Sequence, residues 1–141
     1  VVIPLGMAPP GTDGSKYRVA LGDPLKLESV LLRHPKLRIV VSGAAWPMAD
    51  AMVALMSRYP QVWVDTSDIA WALPRAELEA YLARLLRAGF GERILFASGA
   101  STAPRMAEAA EAIRSSDVLS PAAKRAILGG NAARLLARAT P

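Results

Sequence analysis

The chain has 141 residues, enough for one domain with a hydrophobic core, and 52% of them are apolar. No apolar run approaches the roughly 20 residues that cross a membrane, and the lack of cysteine excludes disulfides and thiolate metal sites. The net charge of +5 comes from arginines and lysines interleaved with acidic residues, whereas a nucleic-acid-binding protein more often gathers its cations on one face. We therefore expect a cytoplasmic protein with no nucleic-acid partner and no membrane partner.

The predicted elements follow one another in a fixed order, in which a short β-branched run precedes a small-residue loop and an amphipathic helix. In chain order they are a strand at residues 1–3, a helix at 24–34, a strand at 37–41, a helix at 47–58, a strand at 61–65, a helix at 74–88, a strand at 93–96, and helices at 104–114, 121–128 and 131–137. This order predicts parallel strands joined by helical crossovers. The predicted fold is therefore α/β, with four strand-helix units, a parallel sheet and C-terminal helices in a single domain over residues 1–141.

Local signals mark the ends of several elements. The apolar start at residues 1–3, with no basic leader before it, is typical of a boundary inside a longer polypeptide. Residues 6–22 form a loop rich in glycine and proline, and loops of this length are more often functional than structural filler. Asp23 followed by Pro24 predicts a capped helix start, and Gly129 is expected to end the second-last helix.

Six stretches in succession carry a resemblance that covers nearly the whole chain. They are residues 23–25, 33–42, 45–48, 64–67, 93–98 and 130–136. In this order they resemble the C-terminal half of the second amidohydrolase family, which includes metal-dependent decarboxylases, lactonases and other hydrolases on a TIM barrel. The resemblance implies half of a (β/α)₈ barrel, because a complete barrel needs roughly 200 to 250 residues.

The positions that match the family's metal ligands carry residues that bind no metal. Pro4 stands where the family has the histidine that ends its fifth strand, and Gly43 and Gly99 stand where it has a second histidine and an aspartate. Catalytic zinc needs about three protein ligands, so we expect no metal and no cofactor. The only histidine, His34, is expected to cap a helix end or to lie at the surface.

The loops that follow parallel strands gather at one face of the sheet, and we expect the functional site there. The catalytic candidates are Asp65 and Ser98, and the substrate-binding candidates are Ser42, Trp46, Thr66, Ser67, Trp71 and Ser101. A second interpretation stays open, in which Asp65 and Ser67 cap the following turn instead of Asp65 acting as a base or orienting a substrate. Asp68 and Thr102 are further polar residues of this face, without an assigned role.

Three functions fit these observations. The first is an amidohydrolase-related half barrel that has lost the metal site, keeps a small-molecule pocket at the C-terminal ends of its strands, and has reduced or absent hydrolase activity. The first alternative is an active metal-independent hydrolase of esters, lactones or phosphoesters. The second alternative is a purely structural fragment that needs a partner half.

Four parallel strands leave two sheet edges and an inner face uncovered, and such surfaces favour association. Two copies related by a two-fold axis would close an eight-stranded barrel and bury both edges. We therefore expect a homodimer, or else a sheet whose own helices cover both faces.

Overall fold

Four parallel strands form the sheet of the computed structural model, which describes residues 1–7 and 18–137. The strands are β1 (Val2–Pro4), β2 (Ile39–Ser42), β3 (Val62–Asp65) and β4 (Ile94–Leu95), side by side in chain order. The predicted α/β class and its parallel sheet are confirmed. Most of the loop predicted at residues 6–22 lies outside the described residues.

Helices follow the strands as the sequence predicts. They are α1 (Glu28–Arg33), α2 (Ala49–Arg58), α3 (Ile69–Ala72), α4 (Arg75–Arg87), α5 (Ala103–Arg114), α6 (Pro121–Arg125) and α7 (Asn131–Ala137). A 3₁₀ turn at Pro24–Leu27 precedes α1, and the carboxylate of Asp23 caps it by accepting the backbone N–H of Leu25 at 2.9 Å. None of these helices is long and apolar enough to cross a membrane.

Two features differ from the sequence prediction. The helix α3 was not predicted, because its four residues are too few to show a helical period. The prediction that Gly129 ends a helix is wrong, since a π-helical turn at Ala126–Gly130 joins α6 directly to α7. The turn brings the side-chain amide of Asn131 to the carbonyls of Gly91 at 2.8 Å and Ile94 at 2.6 Å. These two tertiary hydrogen bonds outweigh the local glycine signal.

One face of the sheet packs against the helices and forms the core. Its strand residues are fully buried and comprise Ile39, Val41, Val62, Val64 and Ile94. Met52 and Met56 of α2 lie in the same cluster, together with Leu82 and Leu85 of α4. Because each such side chain contributes about 1.5–3 kcal/mol when it leaves water, this layer holds the strand ends in place.

The C-terminal segment covers the outer edge of β4. The backbone N–H of Phe96 donates to the carbonyl of Ile127 at 2.9 Å, and the amide of Asn131 reaches a carbonyl of β4. Farther along, Arg38 donates to the carbonyl of Leu135 at 3.2 Å, so that α7 runs from β4 towards the start of β2. The chain itself therefore covers one of the two edges that a four-stranded sheet leaves open.

Candidate functional site

A cavity of about 230 Å³ opens at the carboxyl ends of β1, β2 and β3. Its lining comprises residues 4–7, Arg18, Leu21, Gly22, residues 42–43 and residues 67–69. This volume lies below the roughly 300–1,000 Å³ of pockets for drug-sized ligands, so the cavity could hold only a smaller molecule. Its position is the face where parallel α/β sheets place their sites.

Close backbone packing shapes one wall of the cavity. The N–H of Gly6 donates to the carbonyl of Gly22 at 2.9 Å, and the N–H of Met7 donates to the carbonyl of Trp46 at 2.8 Å. A Cβ on Gly22 would lie 2.0 Å from the carbonyl oxygen of Gly6, so a side chain there would separate the two segments. Neither glycine was predicted to belong to the site, although Gly6 lies two residues after Pro4, which matches a ligand position of the family.

Asp65 joins the loops that follow β2 and β3. Its Oδ1 accepts the backbone N–H of Gly43 at 3.0 Å and that of Ser67 at 2.9 Å, and its side chain is buried. The turn-capping interaction is therefore present, and hydrogen bonds to an ionised acceptor are roughly twice as strong as neutral ones. Asp65 itself is not among the residues that line the cavity.

Thr66 joins the ends of β3 and β4. Its hydroxyl donates to the carbonyl of Ala97 at 3.0 Å and accepts the backbone N–H of Ala97 at 3.1 Å. Both bonds are internal to the fold and the side chain is fully buried. Thr66 therefore links the two strand ends and does not line the cavity.

Asp68 is the carboxylic acid that lines the cavity. Its backbone adopts a left-handed conformation with φ of 62°, and its N–H donates to the carbonyl of Ser98 at 3.0 Å. Burial, and after it the negative charge of Asp65, raise the pKa of the Asp68 carboxyl above its usual range. A strained backbone and a perturbed carboxyl group in a cavity are both typical of functional residues.

Gly99 makes room for the Asp68 carboxyl. A Cβ on Gly99 would lie 2.5 Å from Oδ1 of Asp68 and 2.7 Å from its backbone nitrogen. Gly99 also has a left-handed φ of 65°, which side chains rarely adopt. The absence of a side chain at position 99 therefore leaves the space next to Gly99 that the Asp68 carboxyl group occupies.

The predicted site residues divide into two groups. Ser42 and Ser67 line the cavity beside Asp68. The other six do not line it: Asp65 and Thr66 are bonded inside the fold, and an outer group comprises Trp46, Trp71, Ser98 and Ser101. Asp68 was noted in the sequence without a role, and its position in the loop after a strand was the only signal for it.

Each indole and hydroxyl of the outer group has a partner or faces solvent. Trp46 Nε1 donates to Glu77 at 3.0 Å, and Trp71 Nε1 donates to the carbonyl of Ser98 at 2.9 Å. The guanidinium of Arg105 lies 4.4 Å from the ring centroid of Trp71. Ser101 is exposed, so this group forms a surface next to the cavity instead of its wall.

The cavity has a mixed electrostatic character. Arg18 supplies one guanidinium, and Asp68 supplies one carboxyl group with a raised pKa. Apolar side chains between them include Met7, Leu21 and Ile69. Such a lining can hold a molecule with an apolar body, an anionic group and a hydrogen-bonding group.

The residues at the strand ends do not fit the metal site that the fold implies. Pro4 and Gly43 line the cavity without ligand atoms in their side chains, and Gly99 lies behind Asp68. Within residues 1–7 and 18–137, no three His, Cys, Asp or Glu side chains come together in a way that could hold a metal ion. His34 ends α1, before β2, and so lies at the opposite end of the sheet.

The fold has solved counterparts. The uncharacterised TIM-barrel protein Bb4693 from Bordetella bronchiseptica superposes with a TM-score of 0.74 and 22% identity, over 98% of this chain and 45% of that one. 5-Carboxyvanillate decarboxylase from Sphingomonas paucimobilis has a TM-score of 0.59 and 18% identity, over 96% and 49%. 2,6-Dihydroxybenzoate decarboxylase from Rhizobium has a TM-score of 0.57 and 16% identity, over 98% and 52%.

The chain spans about half the length of these solved structures, and at such identities they show the fold alone. No curated protein is significantly similar to the chain. The amidohydrolase family model, by contrast, matches residues 3–138, which is nearly the whole sequence. The chain belongs to the second amidohydrolase family and has the fold of half its TIM barrel.

Proposed function

We propose that this half barrel binds a small organic molecule in the cavity at β1, β2 and β3, has lost the family's metal site, and has reduced or absent hydrolase activity. One observation carries the proposal. The cavity lies at the strand ends where a barrel has its active site, and its lining includes Pro4 and Gly43, which, like Gly99, stand at positions that resemble the family's ligand positions and carry no ligand side chain. A chain that keeps the cavity without the metal donors retains binding more readily than metal-dependent chemistry.

The lining favours a small aromatic acid. Arg18 can pair with a carboxylate, Asp68 can hydrogen-bond a hydroxyl group, and Met7 and Leu21 can contact a ring. Two of the solved structures are decarboxylases named for 2,6-dihydroxybenzoate and 5-carboxyvanillate, which are molecules of this kind. 2,6-Dihydroxybenzoate is therefore the first probe to use.

Calorimetric titration of the chain with 2,6-dihydroxybenzoate tests the proposal. We expect one binding site whose affinity falls about tenfold in Arg18→Gln, because one charge-assisted hydrogen bond is lost. Arg84→Gln is the control, since that arginine pairs with Asp50 on the surface helices outside the cavity. Equal affinities in both variants, or no binding of hydroxybenzoates at millimolar concentration, would contradict the proposal.

The second candidate is a metal-independent hydrolase of esters, lactones or phosphoesters. The raised pKa of Asp68 favours it, because a general base is most effective when its pKa lies nearer the working pH. Asp68 then takes the role that the sequence suggested for Asp65, with Ser98 beside it in the loop after β4. Ester hydrolysis that persists in chelator and disappears in Asp68→Asn would establish this function. Absence of turnover in the wild type would remove it.

A further inference from the structure

A second cavity opens at the amino ends of β3 and β4. Its volume is about 330 Å³, and its lining comprises Pro60, Trp63, Gly89, Glu92, Arg93 and Arg134. We call it the amino-end cavity. It shares no lining residue with the cavity at the carboxyl ends of the strands, and its volume lies within the roughly 300–1,000 Å³ of ligand pockets. It is therefore a separate candidate site, and what it binds does not depend on the proposed function.

Trp63 forms a deeply buried part of the cavity wall. It lies in β3 between Val62 and Val64, whose side chains belong to the core cluster that packs against the helices. Because successive side chains of a strand point to opposite faces, the indole of Trp63 lies on the other face of the sheet. Trp63 is only 5% exposed, so the surrounding side chains and backbone hold its indole group in a fixed position.

The indole N–H of Trp63 is a donor without a partner. Trp46 and Trp71 donate their indole N–H groups to acceptors in the protein, whereas Trp63 makes no such bond with any residue that the structure describes. Among the described residues, Oγ of Ser116 is the only fully enclosed side-chain polar atom that lacks a partner. The Trp63 nitrogen is therefore accessible, and it can donate to a molecule in the amino-end cavity. Since buried tryptophans usually find an acceptor, this donor favours a bound one.

Arg93 gives the same cavity a positive charge that has no counter-charge. Its guanidinium donates to the carbonyls of Met56, Tyr59 and Val62, and within the described part of the chain it forms no ion pair. Carbonyl groups satisfy its N–H groups but do not neutralise its charge. Burial accordingly lowers the pKa of the Arg93 guanidinium, because a charge away from water is disfavoured. An anion in the cavity would offset this cost.

The other two charged residues of the lining neutralise each other. Arg134 pairs with Glu92 at 3.0 Å, and it also donates to the side-chain oxygen of Asn131. A guanidinium has five N–H donors, so Arg134 keeps donors for a ligand after these two bonds. With two guanidiniums and one carboxylate, the amino-end cavity has one net positive charge. This balance fits an anion of charge −1 better than a dianion such as a phosphate monoester.

A carboxylate matches both the free donor and the free charge. One of its oxygens can accept the indole N–H of Trp63 while the other accepts a guanidinium N–H, and hydrogen bonds to ionised acceptors are roughly twice as strong as neutral ones. Pro60 and the indole ring offer apolar contact to the carbon end of the molecule. We propose that the amino-end cavity is a binding site for a small monocarboxylate, held by Trp63, Arg93 and Arg134.

Titration of the ¹⁵N-labelled chain with acetate tests the proposal. The chain has three tryptophans, and Trp63→Phe identifies the indole signal of Trp63 among the three. Sodium chloride replaces acetate as the control at equal ionic strength. We expect acetate to shift the Trp63 signal with half-saturation on the order of 10 mM, because so small a ligand makes few contacts. The signals of Trp46 and Trp71, which already have acceptors, should move less. No shift at Trp63, or the same shift with chloride, would overturn the proposal.

Two variants test the assignment of the charges. Arg134→Gln should weaken acetate binding about tenfold, because a charge-assisted hydrogen bond is lost. Glu92→Gln should strengthen it about threefold, because the exposed carboxylate that competes for Arg134 is removed. Since the side chain of Glu92 is 80% exposed, this second variant keeps the test valid if Arg134→Gln does not fold. Glu108→Gln, an exposed site on α5 outside the cavity, is the matched control. Unchanged or weaker binding in Glu92→Gln, or an equal gain in Glu108→Gln, would overturn the proposal.

Discussion

The amino and carboxyl ends of the sheet are built differently. At the amino end, the guanidinium of Arg93 donates to the carbonyls of Met56 at 2.9 Å, Tyr59 at 3.2 Å and Val62 at 3.1 Å. The side-chain amide of Asn131 donates to two more backbone carbonyls there, those of Gly91 and Ile94. Five backbone acceptors are thus satisfied by two buried or half-buried side chains, which stabilises the fold.

At the carboxyl end the backbone is strained and a cavity is open. Among the described residues, the non-glycine positions with positive φ are Ala44, Ala45 and Asp68, and all three belong to loops after β2 and β3. Left-handed conformations cost about 1–3 kcal/mol each. The hydrogen bonds at the amino end of the sheet therefore stabilise the fold. At the carboxyl end, strained backbone conformations lower the stability and shape the cavity.

The largest effect is expected at the amino end, in Asn131→Ala. The carbonyls of Gly91 and Ile94 would lose their donor inside the protein, at a cost of about 2–4 kcal/mol of unfolding free energy. Urea denaturation measures this cost. Ser120→Ala, which removes only the cap of α6, serves as the reference at about 1 kcal/mol. Equal losses of unfolding free energy in Asn131→Ala and Ser120→Ala would contradict the stabilising role of the hydrogen bonds at the amino end of the sheet.

Asp65→Ala is expected to cost somewhat less, about 2–3 kcal/mol, because two backbone amides lose a charged acceptor. The control is Asp50→Ala, an exposed aspartate paired with Arg84, for which about 0–1 kcal/mol is expected. Urea denaturation of both variants measures the difference. If Asp65→Ala lost as little unfolding free energy as the control, the hydrogen bonds of Asp65 would not be needed to stabilise the loops after β2 and β3.

Gly99→Ala, compared with a control glycine variant, tests whether ligand binding depends on the position of the Asp68 carboxyl group and not only on backbone strain. Its left-handed φ makes alanine unfavourable by about 1 kcal/mol, and its Cβ would displace the Asp68 carboxyl. Gly89→Ala is a matched control, since Gly89 has φ of 87° and nothing lies within 4 Å of the added Cβ. We expect a larger loss of stability by urea in Gly99→Ala, because its Cβ also meets the backbone nitrogen of Asp68 at 2.7 Å, and weaker hydroxybenzoate binding only in that variant. Weakened binding in both variants would contradict the steric role of Gly99.

The smallest effect is expected from the ionisation of Asp68. Because the folded-state pKa of this carboxyl is raised, the folded protein binds its proton more tightly than the unfolded chain does. The protonated Asp68 carboxyl group therefore stabilises the fold at pH values below its pKa in the unfolded chain, which is about 4. This stabilisation is lost as the pH rises through the higher pKa of the group in the folded protein. Asp68→Asn should gain stability relative to wild type above that window, measured by urea midpoints from pH 3 to 7. A gain that is the same at pH 3 and at pH 7 would contradict the assignment.

Much of the fold could be predicted because its signals are local. The β-branched runs identified all four strands, and Asp23 with Pro24 identified a helix start that the structure contains. For the site, Ser42 and Ser67 were expected and do line the cavity. The resemblance to the amidohydrolase family also came from short stretches in order, and the family match confirms it.

The rest of the site could not be predicted because it depends on contacts between distant segments. The pKa of Asp68 is raised by burial and by the nearby Asp65, and no sequence pattern encodes either. Arg18 reaches the cavity from a loop whose path the sequence does not specify. Trp46 and Trp71 were expected to bind substrate, yet neither lines the cavity, and their indoles donate to Glu77 and to the loop after β4.

The order of strands and helices and the family could be read from the sequence, because hydrophobic period and residue identity are local properties. The tertiary structure was needed to show that α6 and α7 form one continuous helix over β4. The physical reason is that Asn131 finds its partners 40 and 37 residues earlier in the chain. These two hydrogen bonds to a segment far away in the sequence, one buried and one partly buried, outweigh the tendency of Gly129 to end a helix.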